Sequence, residues 1–151
     1  MSREVKKRIE IVRLKMCRED SILYSPRKVS SPEDAVGLVR SIIGESDREM
    51  FLVITLDTKN QFNAVDICSI GSVNASIVHP REVFKLAIIS NASGILIAHN
   101  HPSGITKPSK EDERITERIK EAANIIGIPI VDHLIVGVDS YYSFKENGNL
   151  I

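Results

Sequence analysis

The chain has 151 residues, of which 42% are hydrophobic and 26% charged, and its 20 basic residues are matched by 20 acidic ones. That length suits one domain able to bury about two-thirds of its unfolded surface, so no disulfide framework is needed for folding. Zero net charge argues against a dedicated nucleic-acid binder, apolar runs far short of about 18 residues argue against a membrane span, and a charged start without an apolar h-region argues against a signal peptide.

Two cysteines, Cys17 and Cys68, stand far apart and outside any CxxC pattern. They fit a reducing, cytoplasmic setting better than a secreted scaffold. The charge is uneven, because residues 1–30 hold nine Lys or Arg against four acids. That excess reads as a solvated basic face, with a nucleic-acid contact as the alternative. Aromatics are only 5% and Trp is absent, so the core must be aliphatic, and its Ile and Val content favours strands.

In chain order, residues 8–17 alternate loosely and read as a strand, with a charged helix as the alternative. Ser31-Pro32-Glu33-Asp34 is a helix start: a capping hydroxyl, Pro at the first helical position, then acids near the positive end of the dipole. That helix runs to about Ile43 and stops at Gly44. Glu49 to Leu56 is nearly continuous in apolar residues and reads as a buried central strand. Asp57 to Asn60 turns the chain into a hairpin partner over 61–69, and Gly71 to Ala75 is a loop. Pro80 opens a helix to about Ser90, with Val83, Leu86, Ala87 and Ser90 on one face. Gly94 to His99 is a second buried strand. It is followed by a polar loop with Pro102, Gly104 and Pro108. Ser109 starts a helix to about Ile126, with Ile115, Ile119, Ala122, Ala123 and Ile126 at helical spacing and Gly127 as its cap. Pro129 leads into a strand over Ile130 to Val138, and Tyr141 to Phe144 add a short edge strand. Interleaved strands and helices make the fold α/β, with a mixed central sheet and helices packed on it.

The chemistry concentrates between His99 and Asp112. Side chains two apart on a strand share a face, so the imidazoles of His99 and His101 can converge on one ion at about 2.0–2.1 Å, while Asn100 points elsewhere. Residues three apart on a first helical turn also share a face, which lets Asp112 present its carboxylate where Ser109 looks. Two His and one Asp leave a fourth tetrahedral position for water, the mark of a catalytic zinc site, where hydroxide forms near neutral pH. Ser109-x-x-Asp112 also fits a capping box, and the two roles are compatible. Hydrolysis needs a general base as well. Glu49, opening a strand that would lie beside 94–99, is the candidate, with Glu82 and Glu113 as rivals. His79 reads as a turn or cap residue. His133 supports the sheet or lines the pocket, and the structural role is preferred.

These residues resemble the JAMM, or MPN-plus, metalloprotease motif, H-x-H-x(7)-S-x-x-D with a distant Glu, and His99, His101, Ser109 and Asp112 fit it without a gap. Within that motif the chain is similar to the RadC family through His99-Asn100-His101-Pro102-Ser103-Gly104, Pro108-Ser109, His79-Pro80-Arg81-Glu82-Val83-Phe84, Asn91-Ala92 and Asp132-His133. The resemblance spans roughly residues 8–150. It implies a cytidine-deaminase-like (JAB/MPN) fold, zinc held by His99, His101 and Asp112, and an oxyanion-stabilising Ser109, and it maps the distant Glu onto Glu49. The expectation is therefore a single RadC-like domain without the N-terminal helix-hairpin-helix of full-length relatives. It would act as a zinc-dependent hydrolase on a peptide or isopeptide bond of a protein substrate. The alternative is a non-enzymatic accessory domain associated with DNA repair. Deaminase chemistry would want Pro-Cys-x-x-Cys, and neither cysteine lies in one. The sequence leaves the oligomeric state open.

Overall fold

A computed structural model describes residues 6–71 and 78–150 of the chain. Its elements are α1 (Pro32–Ile43), β1 (Met50–Leu56), β2 (Phe62–Ile70), α2 (Pro80–Ile89), β3 (Gly94–Asn100), α3 (Lys110–Ile126), β4 (Ile130–Val136) and β5 (Tyr141–Ser143). The strands form one sheet in the order β2-β1-β3-β4-β5. Only β3 and β4 run parallel, joined by α3 as the crossover, and every other pair is antiparallel. The fold is the expected α/β arrangement with a mixed central sheet.

Local chemistry explains the boundaries. At the start of α1 the Asp34 carboxylate accepts the N–H groups of Ser30 and Ser31 at 2.7 and 2.9 Å, beside Pro32 in the first turn. The β1–β2 turn is held by Asp57 Oδ1, which accepts from the N–H groups of Lys59 and Gln61 at 2.8 and 2.9 Å. Asn60 there takes a left-handed φ of 57° that Asn tolerates. Gly127 ends α3 at φ 80° and donates its N–H to Ala123.

Because side chains alternate across a strand, the sheet has two apolar faces. Leu52, Ile54, Leu56, Leu96, Ala98, Leu134 and Val136 pack with the buried stripe of α1. Phe51, Val53, Ile95 and Ile97 pack on the other side with Val83, Phe84 and Ala87 of α2 and Ile115, Ile119 and Ala123 of α3. The molecule is thus three layers, with one helix on one face and two on the other.

Several expectations need correction. Residues 8–17 form no strand; they take no regular secondary structure, with Ile9, Ile11, Val12 and Leu14 strongly exposed. The segment that meets the sheet is 27–29 instead: Arg27 accepts from Phe62 N–H, Val29 donates to Asn60, and Lys28 bridges Gln61. The α2 face is carried by Phe84 rather than Leu86. In α3, Thr116 is buried in place of Ile126, which is 40% exposed. β4 ends at Val136 because Gly137 turns the chain, its N–H bonding Ser140. The loop expected over Gly71 to Ala75 lies, beyond Gly71, outside the described residues.

Candidate metal centre

The site forms where β3 leaves the sheet. His99 is the last residue of that strand to face α2 and α3, and Phe51 of β1 lies directly opposite it. His101 follows two residues later, its N–H still bonded to Val136 O at 2.9 Å, so both imidazoles come off one anchored backbone. From above, the first turn of α3 brings in Asp112. The three residues lie close enough to share an ion, with ligand atoms all within 4.8 Å of one another. His99 Nε2 is 3.1 Å from both His101 Nε2 and Asp112 Oδ1, and His101 Nε2 is 3.4 Å from Asp112 Oδ2.

The carboxylate is held by the cap the sequence suggested. Ser109 N–H donates to Asp112 Oδ2 at 2.7 Å, and Asp112 N–H donates to Ser109 Oγ at 3.1 Å. Capping and cluster are therefore one structure. Ser109 itself is exposed, and with its oxygen engaged as an acceptor the hydroxyl hydrogen is left to donate outward.

The far sides of the rings decide what the near sides can do. His101 Nδ1 lies 2.7 Å from Ile105 O, a pure acceptor, so Nδ1 carries the hydrogen and Nε2 offers a lone pair. His99 Nδ1 lies 2.9 Å from His133 Nε2. His133 is fully buried, stacked on Phe144 at 4.6 Å and edge-on to Phe51 at 5.8 Å. Burial, with the neighbouring His99, pushes His133 well below the ordinary imidazole range, so it is neutral.

Electrostatics point the same way. Burial raises the Asp112 carboxyl, but His101 and His99 outweigh it and leave the group far below the usual carboxylate range. Asp112 in turn raises His101, against its partial burial, with help from Ile105 O and the charge of Glu49. An anionic carboxylate beside two ring nitrogens, nearly enclosed by protein, favours a positive charge between them, either a proton on an imidazole or a bound cation. The donor set, two imidazoles and one carboxylate with one side open toward solvent at the 13%-exposed His101 side chain, suits a divalent metal ion.

Glu49 precedes β1. It stands two residues before Phe51, which lies opposite His99, and its charge reaches His101. Its rivals are occupied elsewhere: Glu82 binds Lys85 at 2.7 Å in the first turn of α2, and Glu113 points to solvent. His79 is the N-cap residue of α2 as expected, through its backbone rather than its side chain.

Two residues that sequence reasoning did not place beside the cluster, Asn100 and Thr116, lie against it, and so does His133, for which a structural role was preferred over lining the pocket. Asn100 points away from the cluster, as expected, but its amide accepts Met50 N–H at 2.7 Å and donates to Arg48 O at 2.9 Å, bracketing Glu49 between two fixed neighbours. His133 and Thr116 back His99. A polar residue inside a continuous buried strand is the one signal that could have flagged Asn100 and His133, and Thr116 shares the buried stripe of α3 with Asp112.

The sequence profile described as RadC-like JAB domain matches residues 29–149. A UPF0758 protein of Rubrobacter xylanophilus is 46% identical over 149 residues, covering 97% of this chain and 65% of that relative. One of Methanosarcina mazei is 47% identical over 122 residues, covering 81% and 53%. One of Clostridium beijerinckii is 48% identical over 121 residues, covering 80% and 53%. The chain spans between about half and two-thirds of the length of these relatives.

Proposed function

The chain belongs to the RadC-like JAB domain family, and from that membership and the His99–His101–Asp112 cluster we propose that it is a zinc-dependent hydrolase acting on peptide or isopeptide bonds of a protein substrate. The observation that carries the reading is the convergence of two imidazole lone pairs and an anionic carboxylate, with one direction left open. His99, His101 and Asp112 would hold the ion. Zinc in such a set supplies Lewis acidity, polarising a carbonyl and lowering the pKa of a water to about 7.

The remaining work falls to the protein. Glu49, whose charge reaches His101 and whose chain neighbours Asn100 holds, takes the proton of the attacking water and returns it to the leaving amine. Ser109, exposed beside the cluster with a hydrogen to give, donates to the developing oxyanion. Nothing in the donor set demands a redox-active metal, and the two lone cysteines support a cytoplasmic setting. Among the described residues no helix is long and apolar enough to cross a membrane.

The test is metal content with activity. The purified chain is expected to hold about one zinc, and His101→Ala to lower that sharply. Glu49→Gln is expected to keep the zinc and lose hydrolysis of peptide and isopeptide libraries by a factor of about 100 or more. Full zinc retention in a His99/His101 double alanine variant would sink the site, and unchanged hydrolysis in Glu49→Gln would remove Glu49 as the base.

A further inference from the structure

We propose that Thr116 and His133 are positioning residues that fix which ring nitrogen of His99 carries its proton, and so keep the other free for the cation. The inference rests on the metal reading above and concerns residues that do not touch the ion.

The hydrogen-bond directions can be read from one end. Thr116 Oγ lies 2.7 Å from Asp112 O and 2.6 Å from His133 Nδ1. A carbonyl cannot donate, so the single hydroxyl hydrogen belongs on the Asp112 side; placed on His133 instead, it would leave two bare oxygens at 2.7 Å. Thr116 Oγ must then accept, and His133 Nδ1 carries a hydrogen. His133 Nε2 is left with a lone pair, which accepts from His99 Nδ1–H at 2.9 Å. His99 Nε2 consequently has no hydrogen, and it faces Asp112 and His101.

The relay has something to work against. Asp112 Oδ1 lies 3.1 Å from His99 Nε2. Left alone, that carboxylate would draw the His99 proton onto Nε2, where it would fill the position a metal needs. The chain from Asp112 O through Thr116 and His133 supplies the competing acceptor on the far side of the ring. All three side chains are buried, so water offers no substitute partner. Partners of this kind behind a ligating imidazole are worth about 10–100-fold in metal affinity.

The experiment reads the proton directly. Long-range proton–nitrogen correlation on the metal-free, intact chain at mildly alkaline pH is expected to show His99 protonated at Nδ1, a readout that needs no substitution. Thr116→Val removes the acceptor that orders His133. It is expected to move much of the His99 population to the Nε2–H form and to weaken zinc binding about 10–100-fold. His133→Phe keeps the stacking but removes the acceptor and should do the same. His133→Gln restores a carbonyl acceptor near His99 and should recover most of the affinity. Nε2–H in the metal-free wild type, or wild-type zinc affinity in both Thr116→Val and His133→Phe, would overturn the relay. A wild-type chain that shows the Nδ1–H form yet takes up no zinc would support the relay and overturn the metal reading instead.

Discussion

Asp112 uses one carboxylate for two purposes, and the two can be separated. Its Oδ2 caps α3 through Ser109 N–H while both oxygens face the imidazoles. Asp112→Asn keeps an acceptor for the cap but removes the charge; Asp112→Ala removes both. Zinc binding should be lost in both variants, with the alanine variant less stable by about 1 kcal/mol in urea unfolding of the metal-free chain. Asn100→Ala strands Met50 N–H and Arg48 C=O at the entrance of β1 and should cost about 1–3 kcal/mol. It should also lower hydrolysis more than zinc content, since it frees Glu49 rather than a ligand. Asp132 supplies a pH signature. Burial raises its carboxyl, only partly offset by hydrogen bonds from Ser143 Oγ–H and the N–H groups of Lys145 and His133. A raised folded pKa means its stabilisation is full below the unfolded carboxyl value and fades as pH climbs through the folded one. Asp132→Asn should therefore gain stability relative to wild type as pH rises across that interval, measured by denaturation at stepped pH. At this scale the cluster of His99, His101 and Asp112 was legible because the order of its residues encodes a strand end and a helix start. Asn100 and Thr116 were not, and His133 was legible only as one of two alternatives, since a polar residue buried by distant elements looks locally like any other.

At the scale of elements, strong local signals gave the right boundaries. Ser31-Pro32 opens α1, Asp57 and Asn60 close the hairpin, and Gly127 ends α3, each through bonds made within a few residues. The one element read wrongly, 8–17, has alternation but pairs with no strand among the described residues, and a strand's stability comes from its neighbour. Packing between elements is equally invisible in sequence. Gly137 lies under the loop that follows His101, where an added Cβ would stand 2.7 Å from Gly104 O and 3.0 Å from Thr106 Cγ2. That loop also provides Ile105 O to His101. Gly137→Ala should lift it, lowering zinc affinity as well as stability, with isothermal titration of the metal-free protein as the check.

Across the whole molecule, the α/β class and the mixed sheet followed from the interleaving of strand and helix patterns. The layering, with α1 alone on one face, depends on which strand faces turn which way and emerges only in three dimensions. The same layering puts the cluster on the face covered by α2 and α3. The crossover helix α3 touches both strands it connects, through Asp112 toward β3 and through Thr116 toward β4. With an ion in place, Asp112, His99, His133 and Thr116 form a closed circuit that begins and ends on residue 112. Cation occupancy and the docking of α3 are then two descriptions of one equilibrium. A ligand that binds only the docked form adds about 2.7 kcal/mol at a hundredfold excess over its Kd, and by reciprocity whatever loosens the helix weakens the ion. Ile119→Ala, buried in the apolar cluster nearly two turns along α3 from Asp112, should exact part of its cost as metal lost from the protein.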